Sequence, residues 1–265
     1  RRSSDLSDYN LVTTNYASTL VDGIKALITN VTIAPNTYII GDNVDVVITY
    51  DDNVTVAGGT PDFALTFETN TGSPTAALTT GTGTNTLTFR YTVIAGNEDV
   101  NGLDTAAAIN LAGATMQDPN GNDVYLNLSA TNFAAALVDA IIPTVTIDAA
   151  ATINSLNVAT YNVTGTCSDN GQVVSVDVGG VTATPMCAAN VWSYTQDVTA
   201  AIDSTVNTVA DVAITADHDD AGGNPAVQAT DTVIKDTIIP TVSANAIAAN
   251  TYIIGDTVNV VVDFN

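Results

Sequence analysis

The sequence predicts an all-β protein, built as an extended string of tandem β-sandwiches, and three observations support this prediction. Short segments rich in β-branched and aromatic residues run through the chain, and several alternate apolar with polar positions. Clusters of Gly, Pro, Asn and Asp separate these segments roughly every 8–12 residues, a spacing typical of sandwiches of about 100 residues. Three stretches of sequence also occur twice, as expected for tandem modules.

The repeated stretches predict the lengths of the modules. They are NTYIIGDNVDVVITY (36–50) with NTYIIGDTVNVVVDF (250–264), TNYASTLVDGI (14–24) with TNFAAALVDAI (131–141), and IIPTV at 141–145 and 238–242. Their offsets are 214, 117 and 97 residues, and the two shorter offsets add up to the longest. A long module of about 117 residues therefore alternates with a short module of about 97 residues.

These offsets divide the chain into four predicted segments. Residues 1–24 are the C-terminal end of a preceding long module, 25–141 a long module, 142–238 a short module, and 239–265 the start of a further long module. Pro143 and Pro240 lie just inside two of the junctions. Proline stiffens a junction there without removing a needed ladder hydrogen bond.

The predicted strands follow one another in both modules. In the long module they are VDVVITY (44–50), FALTFE (63–68) and TLTFRYTVI (86–94). In the short module they are VATYNVTGT (158–166), VVSVDV (173–178), VWSYTQDV (191–198), DVAITAD (211–217) and AVQATDTVI (226–234). The alanine-rich stretch LDTAAAINLAGA (103–114) is compatible with a helical turn, which leaves the fold class unchanged.

The charge balance excludes several classes of partner. The chain has 5 Lys and Arg against 28 Asp and Glu, a net charge of -23. Such a surface repels phosphate backbones and anionic lipid headgroups, so we expect no nucleic-acid partner and no direct membrane insertion. No apolar run reaches the length of a transmembrane helix, and RRSSDLSDYN at the N-terminus lacks the apolar core of a signal peptide.

Two cysteines, Cys167 and Cys187, predict a disulfide in the short module. A zinc site usually needs four ligands. The sequence has a single histidine, His218, and no CxxC motif, so it does not offer a recognisable set. A reactive thiol pair remains the alternative. The disulfide agrees with an oxidising, extracellular setting. His218 itself is expected to be a solvated turn residue among aspartates.

The two kinds of module resemble known bacterial repeats. The stretches YIIGDNVDVVITYDDNVTV, TGTGTNTLTFRYTVIAGNEDV and MQDPNGNDVYLNL resemble cadherin-like repeats of giant surface adhesins and biofilm-associated proteins. The stretches NVTGTCSDNGQVVSVDVGGVTAT, CAANVWSYTQDV and ITADHDDAGGNPAVQATDTVIKDT resemble the bacterial immunoglobulin-like repeats of the same proteins. This resemblance implies immunoglobulin-like sandwiches, a cell-surface location, and junctions between neighbouring repeats that calcium stiffens.

Acidic loops are candidate Ca²⁺ sites, because Ca²⁺ takes 6–8 oxygen ligands. The candidate ligands are Asp118, Asn120, Asn122 and Asp123 in DPNGND, Asp217, Asp219 and Asp220 in ADHDDAGGN, Asp99 and Asp104 in GNEDVNGLD, and Asp139 and Asp236 beside the junctions. Asp, Asn and Gly also build tight turns without any metal, and both interpretations stay open.

The sequence predicts no enzyme, since it lacks GxSxG, P-loop and HExxH motifs. Trp192 is expected to anchor the core of the short sandwich rather than to stack on a sugar. We expect a structural or adhesive segment of a long extracellular surface protein or fibre, in contact with neighbouring repeats and with other copies in a fibre. The alternatives are a subunit of a self-assembling filament or sheath, and a module that binds a glycan or a protein.

Overall fold

The computed structural model describes residues 23–128, 131–201 and 210–264. Within these ranges the regular structure is β-strand, apart from one turn of 3-10 helix at Val158–Thr160. The prediction of an all-β sandwich protein is therefore confirmed. Residues 1–22, to which the predicted end of a preceding module belongs, lie outside the described residues. Nothing helical in the described ranges is long and apolar enough to cross a membrane.

The described chain forms two compact units. Unit 1 takes the residues up to Val93 and from Glu98 to Val138, and unit 2 takes Ile94–Asn97 and the residues from Asp139 onward. The division into modules at 25–141, 142–238 and 239–265 stays a prediction.

Unit 1 contains one large sheet and one small sheet. Its strands are β1 (Ile28–Ile33), β2 (Asn36–Tyr38), β3 (Asn43–Ala57), β4 (Asp62–Thr66), β5 (Thr75–Thr80), β6 (Thr84–Thr92), β7 (Glu98–Asp99), β8 (Leu103–Thr105), β9 (Thr115–Gln117), β10 (Asn132–Phe133) and β11 (Ala136–Asp139). The large sheet has the order β1-β3-β6-β5-β4-β8-β10, with β9 added to β3, and the small sheet has the order β2-β11-β7. Strand β11 runs parallel to β2.

The core of unit 1 follows from the alternation of β3. Val44, Val46, Ile48 and Tyr50 point inward and are at most 1% exposed, whereas the residues between them are partly exposed. Phe63 of β4 and Phe89 of β6 pack in the same core with ring centroids 5.0 Å apart. Each fully buried side chain of this size contributes roughly 1.5–3 kcal/mol.

Unit 2 is a sandwich of two sheets and carries a separate hairpin. Its strands are β12 (Ile153–Asn154), β13 (Tyr161–Thr166), β14 (Val174–Val178), β15 (Val181–Ala183), β16 (Val191–Gln196), β17 (Ala210–His218), β18 (Ala229–Asp236), β19 (Val242–Ile247) and β20 (Val260–Phe264). One sheet has the order β12-β18-β17-β14-β15, the other pairs β13 with β16, and β19 pairs with β20.

Trp192 lies in the core between the two sheets of unit 2. It is 2% exposed, and its indole N–H donates to the carbonyl of Thr146 at 3.1 Å. Its partner on β13 is Gly165, where a Cβ atom would lie 2.7 Å from the indole ring and would clash with the Thr146 carbonyl. Glycine is therefore required there for the indole ring to lie against the backbone.

The alanine-rich stretch at 103–114 is not helical, so the suggestion of a helical turn is wrong. Its first residues form β8, and Ala106 and Asn110 donate backbone hydrogen bonds to Ala64 and Asp62 at 2.9 and 2.7 Å. The neighbouring strand supplies these partners, so tertiary pairing overrides the helical propensity of alanine.

Candidate functional site

The same five-residue pattern, Asp-x-x-Gly-Asn, forms one loop in each unit: DPNGN (118–122) in unit 1 and DAGGN (220–224) in unit 2. In both loops the backbone N–H of the aspartate donates to the carbonyl of the asparagine, at 2.9 and 3.1 Å. The glycine N–H in turn donates to the carbonyl of the aspartate, at 3.1 and 3.3 Å. The two loops therefore share one backbone hydrogen-bond pattern, and we call them the DxxGN loops.

The aspartate carboxylate closes each DxxGN loop. Asp118 Oδ1 accepts from the backbone N–H groups of Asn120 and Asn122, both at 2.9 Å, and its Oδ2 accepts from Asn122 Nδ2 at 2.9 Å. Burial raises the pKa of Asp118, but these hydrogen bonds outweigh it and leave the pKa below its usual value. The residues predicted as ligands in DPNGND thus build a turn.

The carboxylate of Asp220 is held in the same way. Its Oδ1 accepts from the backbone N–H groups of Gly223 and Asn224 at 2.7 and 2.8 Å, and its Oδ2 accepts from Asn224 Nδ2 at 2.8 Å. Asp220 is 9% exposed and Asn224 is fully buried.

The asparagine of each DxxGN loop also holds the segment that leads into its unit. Asn224 Nδ2 donates to the backbone carbonyl of Asp139 at 2.9 Å, and Asn122 Nδ2 donates to that of Ile24 at 3.4 Å. Ile24 ends the repeated stretch 14–24, and Asp139 lies two residues before the end of the repeated stretch 131–141. The sequence analysis did not predict this contact of the asparagine with the entering segment, although the repeated Asp-x-x-Gly-Asn pattern is visible in the sequence.

Asp139 and Asp220 are the predicted ligands that the structure brings together. A Cβ atom on Gly222 would lie 2.9 Å from Asp139 Oδ2 and 3.2 Å from Asp220 Oδ1, so the two carboxylates flank this glycine. Burial raises the pKa of Asp139, and the charges of Asp220 and Asp169 raise it further. An all-oxygen set of carboxylates fits a hard cation such as Ca²⁺.

The remaining predicted ligands lie in turns and side-chain pairs. Asp99 caps its own turn through Asn101 and Gly102, and burial raises its pKa. The others contact side chains or backbone nearby: Asp104 with Asn132, Asp123 with Gln117, Asp217 with Gln228, Asp219 with Pro225, and Asp236 with Ile238. Across the described ranges, no group of three or more His, Cys, Asp or Glu side chains is placed to hold a metal ion.

His218 is buried, so the expectation of a solvated turn residue is wrong. It is 2% exposed at the end of β17. Its Nε2 accepts from the backbone N–H of Asp169 at 3.2 Å, and its Nδ1 lies 3.0 Å from the carbonyl of Val173. The imidazole therefore fixes the loop between β13 and β14 to the end of β17. It borders an open cleft of about 330 Å³ that Asp217, Asp219 and Asp220 also line.

A disulfide links Cys167 and Cys187, which are 3% and 1% exposed. The bond lies in the core of unit 2, in the same cluster as Trp192, Tyr161 and Tyr194. Beside it, Asn170 and Asn190 exchange hydrogen bonds: Asn190 N donates to Asn170 Oδ1 at 2.8 Å, and Asn170 Nδ2 donates to Asn190 Oδ1 at 2.7 Å.

No protein-family model and no curated protein matches this chain. Among solved structures, it is similar to part of a 1.5-MDa bacterial ice-binding adhesin (TM-score 0.32, 16% identity, 82% of this chain and 67% of that chain). It is also similar to the fibronectin(III)-like modules of Clostridium thermocellum CbhA (TM-score 0.30, 15% identity, 78% and 94%). A third is the FN1-FN3 domains of chicken CNTN1 (TM-score 0.32, 9% identity, 86% and 71%). At these TM-scores and identities, none of the similarities carries an argument about function.

Proposed function

We propose that this chain is a structural and adhesive segment of a long extracellular surface protein or fibre, made of tandem immunoglobulin-like modules and without catalytic activity. The observation that carries the proposal is the pair of DxxGN loops, each of which binds the segment entering its own unit. A string of modules under tension is pulled at these entering segments. Hydrogen bonds at that position therefore resist the first step of forced unfolding.

Two further features support an extracellular location, and we propose that this location is the cell surface, within a biofilm. The Cys167–Cys187 disulfide favours an oxidising compartment, because most cytosolic thiols are kept reduced. The net charge of -23 favours separation of neighbouring copies and repeats, which keeps a crowded surface layer soluble. The expected partners are neighbouring repeats of the same chain and other copies in a fibre.

We propose that Asp139 and Asp220, with Asp169 nearby, bind Ca²⁺. The two carboxylates flank Gly222, and the charge of Asp220 raises the pKa of Asp139. A bound divalent cation supplies the positive charge that offsets this repulsion. The entering backbone at Asp139 would then be fixed both by Asn224 and by the cation.

Single-molecule force spectroscopy of the full chain, pulled from its two ends, tests the structural role. We expect two unfolding events at high force, with Asn224→Ala lowering the force of one event and Asn122→Ala lowering the force of the other. Asn162→Ala, which removes side-chain hydrogen bonds to Ser193, Thr195 and the backbone carbonyl of Tyr194 on β16, is the control for loss of an asparagine amide outside the DxxGN loops. If all three variants unfold at the force of the parent chain, the structural proposal is wrong.

A second candidate function is the binding of a glycan or a protein, and one groove favours it. The groove has a volume of about 600 Å³ and lies beside β13 and β16, where Met186, Val191, Thr164, Ser193 and Asp148 line it. Met186 and Val191 are both 52% exposed, so the apolar face of a ligand could pack against them. The hydroxyl groups of Thr164 and Ser193 line the same groove and could bind polar groups of that ligand. Saturable binding on a glycan array that Met186→Asp abolishes would support this candidate over the purely structural one.

A further inference from the structure

The outer edge of β16 carries backbone groups that its own sheet does not use. Strand β16 is antiparallel to β13, with Ser193 opposite Thr164. Opposite residues of such a pair either exchange both hydrogen bonds or direct their backbone groups away from each other. The carbonyl of Thr164 accepts from the N–H of Asp148 at 2.8 Å, on the far side of β13. The N–H and C=O groups of Ser193, and those of Thr195 two residues later, therefore face the outer edge of β16.

This edge is open along Ser193 and Thr195. At its start, Val191 exchanges backbone hydrogen bonds with Ala188, at 2.9 and 3.2 Å, which closes the turn into β16. Past Val191, the described ranges contain no partner for the N–H and C=O groups of Ser193 and Thr195. Both residues are exposed as well. Four backbone groups on one strand edge are thus available to an added strand.

A groove of about 600 Å³ lies beside this edge, because the two segments joined by the turn diverge. One segment is β16. The other bends away at Met186 to pair with Val173, next to β14. Met186 of one segment and Ser193 of the other line the groove between them, together with Val191. The side chains of Met186 and Val191 are half-exposed and give the groove an apolar wall next to the open edge.

We propose that this groove binds an extended, cationic peptide segment, which adds as a strand to the outer edge of β16. The inference rests on the second candidate function and specifies its ligand as a polypeptide. Regularly spaced N–H and C=O groups are satisfied by the backbone of another strand, in the way that extended peptides add to open sheet edges. Alternate side chains of the added strand would then pack on Met186 and Val191.

Charge determines which peptide fits. The carboxylate of Asp148 lines the groove, where its Oδ2 accepts from Thr164 Oγ1 at 2.7 Å, and Asp197 follows directly after the end of β16. The described residues that line the groove include no lysine or arginine, and the whole chain has a net charge of -23. A segment with basic residues at both ends of an apolar centre is therefore attracted, and an acidic one is repelled.

A second copy of this chain fits the edge less well. Two β16 strands around a two-fold axis at Tyr194 would pair Ser193 of each copy with Thr195 of the other, which satisfies the same backbone groups. That contact would join two chains that each carry a net charge of -23. It would also bring the acidic residues that flank both grooves together. A cationic segment lowers this repulsion, whereas a second copy adds to it.

Fluorescence anisotropy of the full chain with a labelled peptide of sequence KVTVTVTK tests the inference. We expect saturable binding that is at least about 10-fold tighter than for EVTVTVTE, because the two peptides differ only in the charges at their ends. No saturable binding of KVTVTVTK below about 1 mM, or equal binding of both peptides, would overturn the inference. A chain that binds a glycan but not this peptide would leave the second candidate function intact, whereas binding of neither would refute both.

Amide hydrogen exchange by NMR locates the bound peptide. At about 90% occupancy, the amides of Ser193 and Thr195 should exchange about 10-fold more slowly, because the edge is then free only about one-tenth of the time. The amides of Trp192 and Tyr194, which face β13, are the internal control and should not change. Unchanged exchange at Ser193 and Thr195 would overturn the inference. So would protection in the peptide-free chain that grows with protein concentration, since it would identify a second copy as the occupant.

Ser193→Pro blocks the outer edge and leaves the pairing with β13 intact, because its missing N–H faces outward. We expect it to bind KVTVTVTK at least about 10-fold more weakly than the parent chain. Ser193→Ala keeps the N–H, so it is the matched control and should bind as the parent does. Met186→Lys, which keeps the edge and repels a cationic peptide, serves the same purpose should the proline variant fail to fold. Full binding by a folded Ser193→Pro variant, or by Met186→Lys, would overturn the inference.

Discussion

The side chain of Asn224 donates a hydrogen bond of 2.9 Å to the backbone carbonyl of Asp139, 85 residues earlier in the chain. The same amide donates to Asp220 Oδ2 at 2.8 Å. One buried side chain thus holds both its own loop and the segment that enters unit 2. A substitution of Asn224 therefore tests the stability of its loop and the anchoring of the entering segment together.

Asn224→Ala is expected to destabilise unit 2 by about 2–4 kcal/mol, because it removes two buried hydrogen bonds and leaves the Asp220 carboxylate undersatisfied. Chemical denaturation that resolves the two units measures this loss. Asn122→Ala is the matched variant in unit 1. Its contact to Ile24 is longer, at 3.4 Å, and the side chain is partly exposed, so we expect about 1 kcal/mol. Equal losses in both units would contradict this account.

Asp139→Asn is expected to raise the stability of unit 2 at neutral pH in the absence of divalent cations. Burial and the charges of Asp220 and Asp169 raise the pKa of Asp139 in the folded protein. The folded state therefore binds this proton more tightly than the unfolded state, and the parent unit loses stability as pH rises from the unfolded pKa, about 3.9, through the higher folded pKa.

Thermal unfolding across this pH range measures the effect of Asp139→Asn. We expect the variant to exceed the parent by about 2–5 °C at pH 7, and the difference to disappear below a pH of about 3.5, where Asp139 of the parent is mostly protonated in both the folded and the unfolded state. Asp52→Asn in unit 1 is the control for a general reduction in negative charge. A variant less stable than the parent at pH 7 would show that Asp139 is not under repulsion.

Addition of Ca²⁺ is expected to raise the Tm of unit 2 and chelation is expected to lower it. A ligand at 100 times its Kd stabilises the folded state by about 2.7 kcal/mol. Asp139→Asn should remove most of this shift, whereas it leaves the carboxylate of Asp220 and its loop in place. Mg²⁺ at equal concentration is the control for screening of charge. If the shift persists in Asp139→Asn, the cation binds elsewhere.

Much of this architecture could be predicted because alternation reports burial directly. Val44, Val46 and Ile48 recur at every second position of a predicted strand, and the structure buries all three. The same rule would have placed His218 inward, since Ile214, Ala216 and His218 continue one alternating series and all three are buried. The expectation of a solvated histidine was based on the acidic residues beside it in the sequence and did not take this alternation into account.

The candidate site was less predictable because its contacts are distant in sequence. Asp139 and Asp220 were predicted as ligands in separate loops, and only the tertiary fold places them on either side of Gly222. Asp118 and Asp220 both accept hydrogen bonds from their own loops, and they differ in that only Asp220 lies beside a second carboxylate, that of Asp139. Composition identifies loops that are rich in oxygen ligands, but it does not tell which of those oxygens the backbone already uses.

Removal of the disulfide by Cys167→Ala with Cys187→Ala is expected to destabilise unit 2 by about 3 kcal/mol. The bond closes a loop of 20 residues, and an open chain gains entropy mainly in the unfolded state. Both side chains are buried, so the double alanine variant leaves no buried thiol. Denaturant unfolding should show a lower midpoint for unit 2 and an unchanged midpoint for unit 1, which serves as the internal control.

Lys235→Met is expected to destabilise unit 2 by about 2–3 kcal/mol. The Lys235 ammonium donates to three backbone carbonyls, of Val198, Thr199 and Ala201, at 3.1, 2.8 and 3.1 Å. Hydrogen bonds to a charged group contribute about 1.5–3 kcal/mol, and methionine keeps the length of the side chain while it leaves the carbonyls without this donor. Denaturant unfolding measures the loss, and Lys25→Met in unit 1 is the control for the loss of one positive charge. An equal effect of both variants would show that net charge, rather than the three carbonyl contacts, determines the contribution of Lys235.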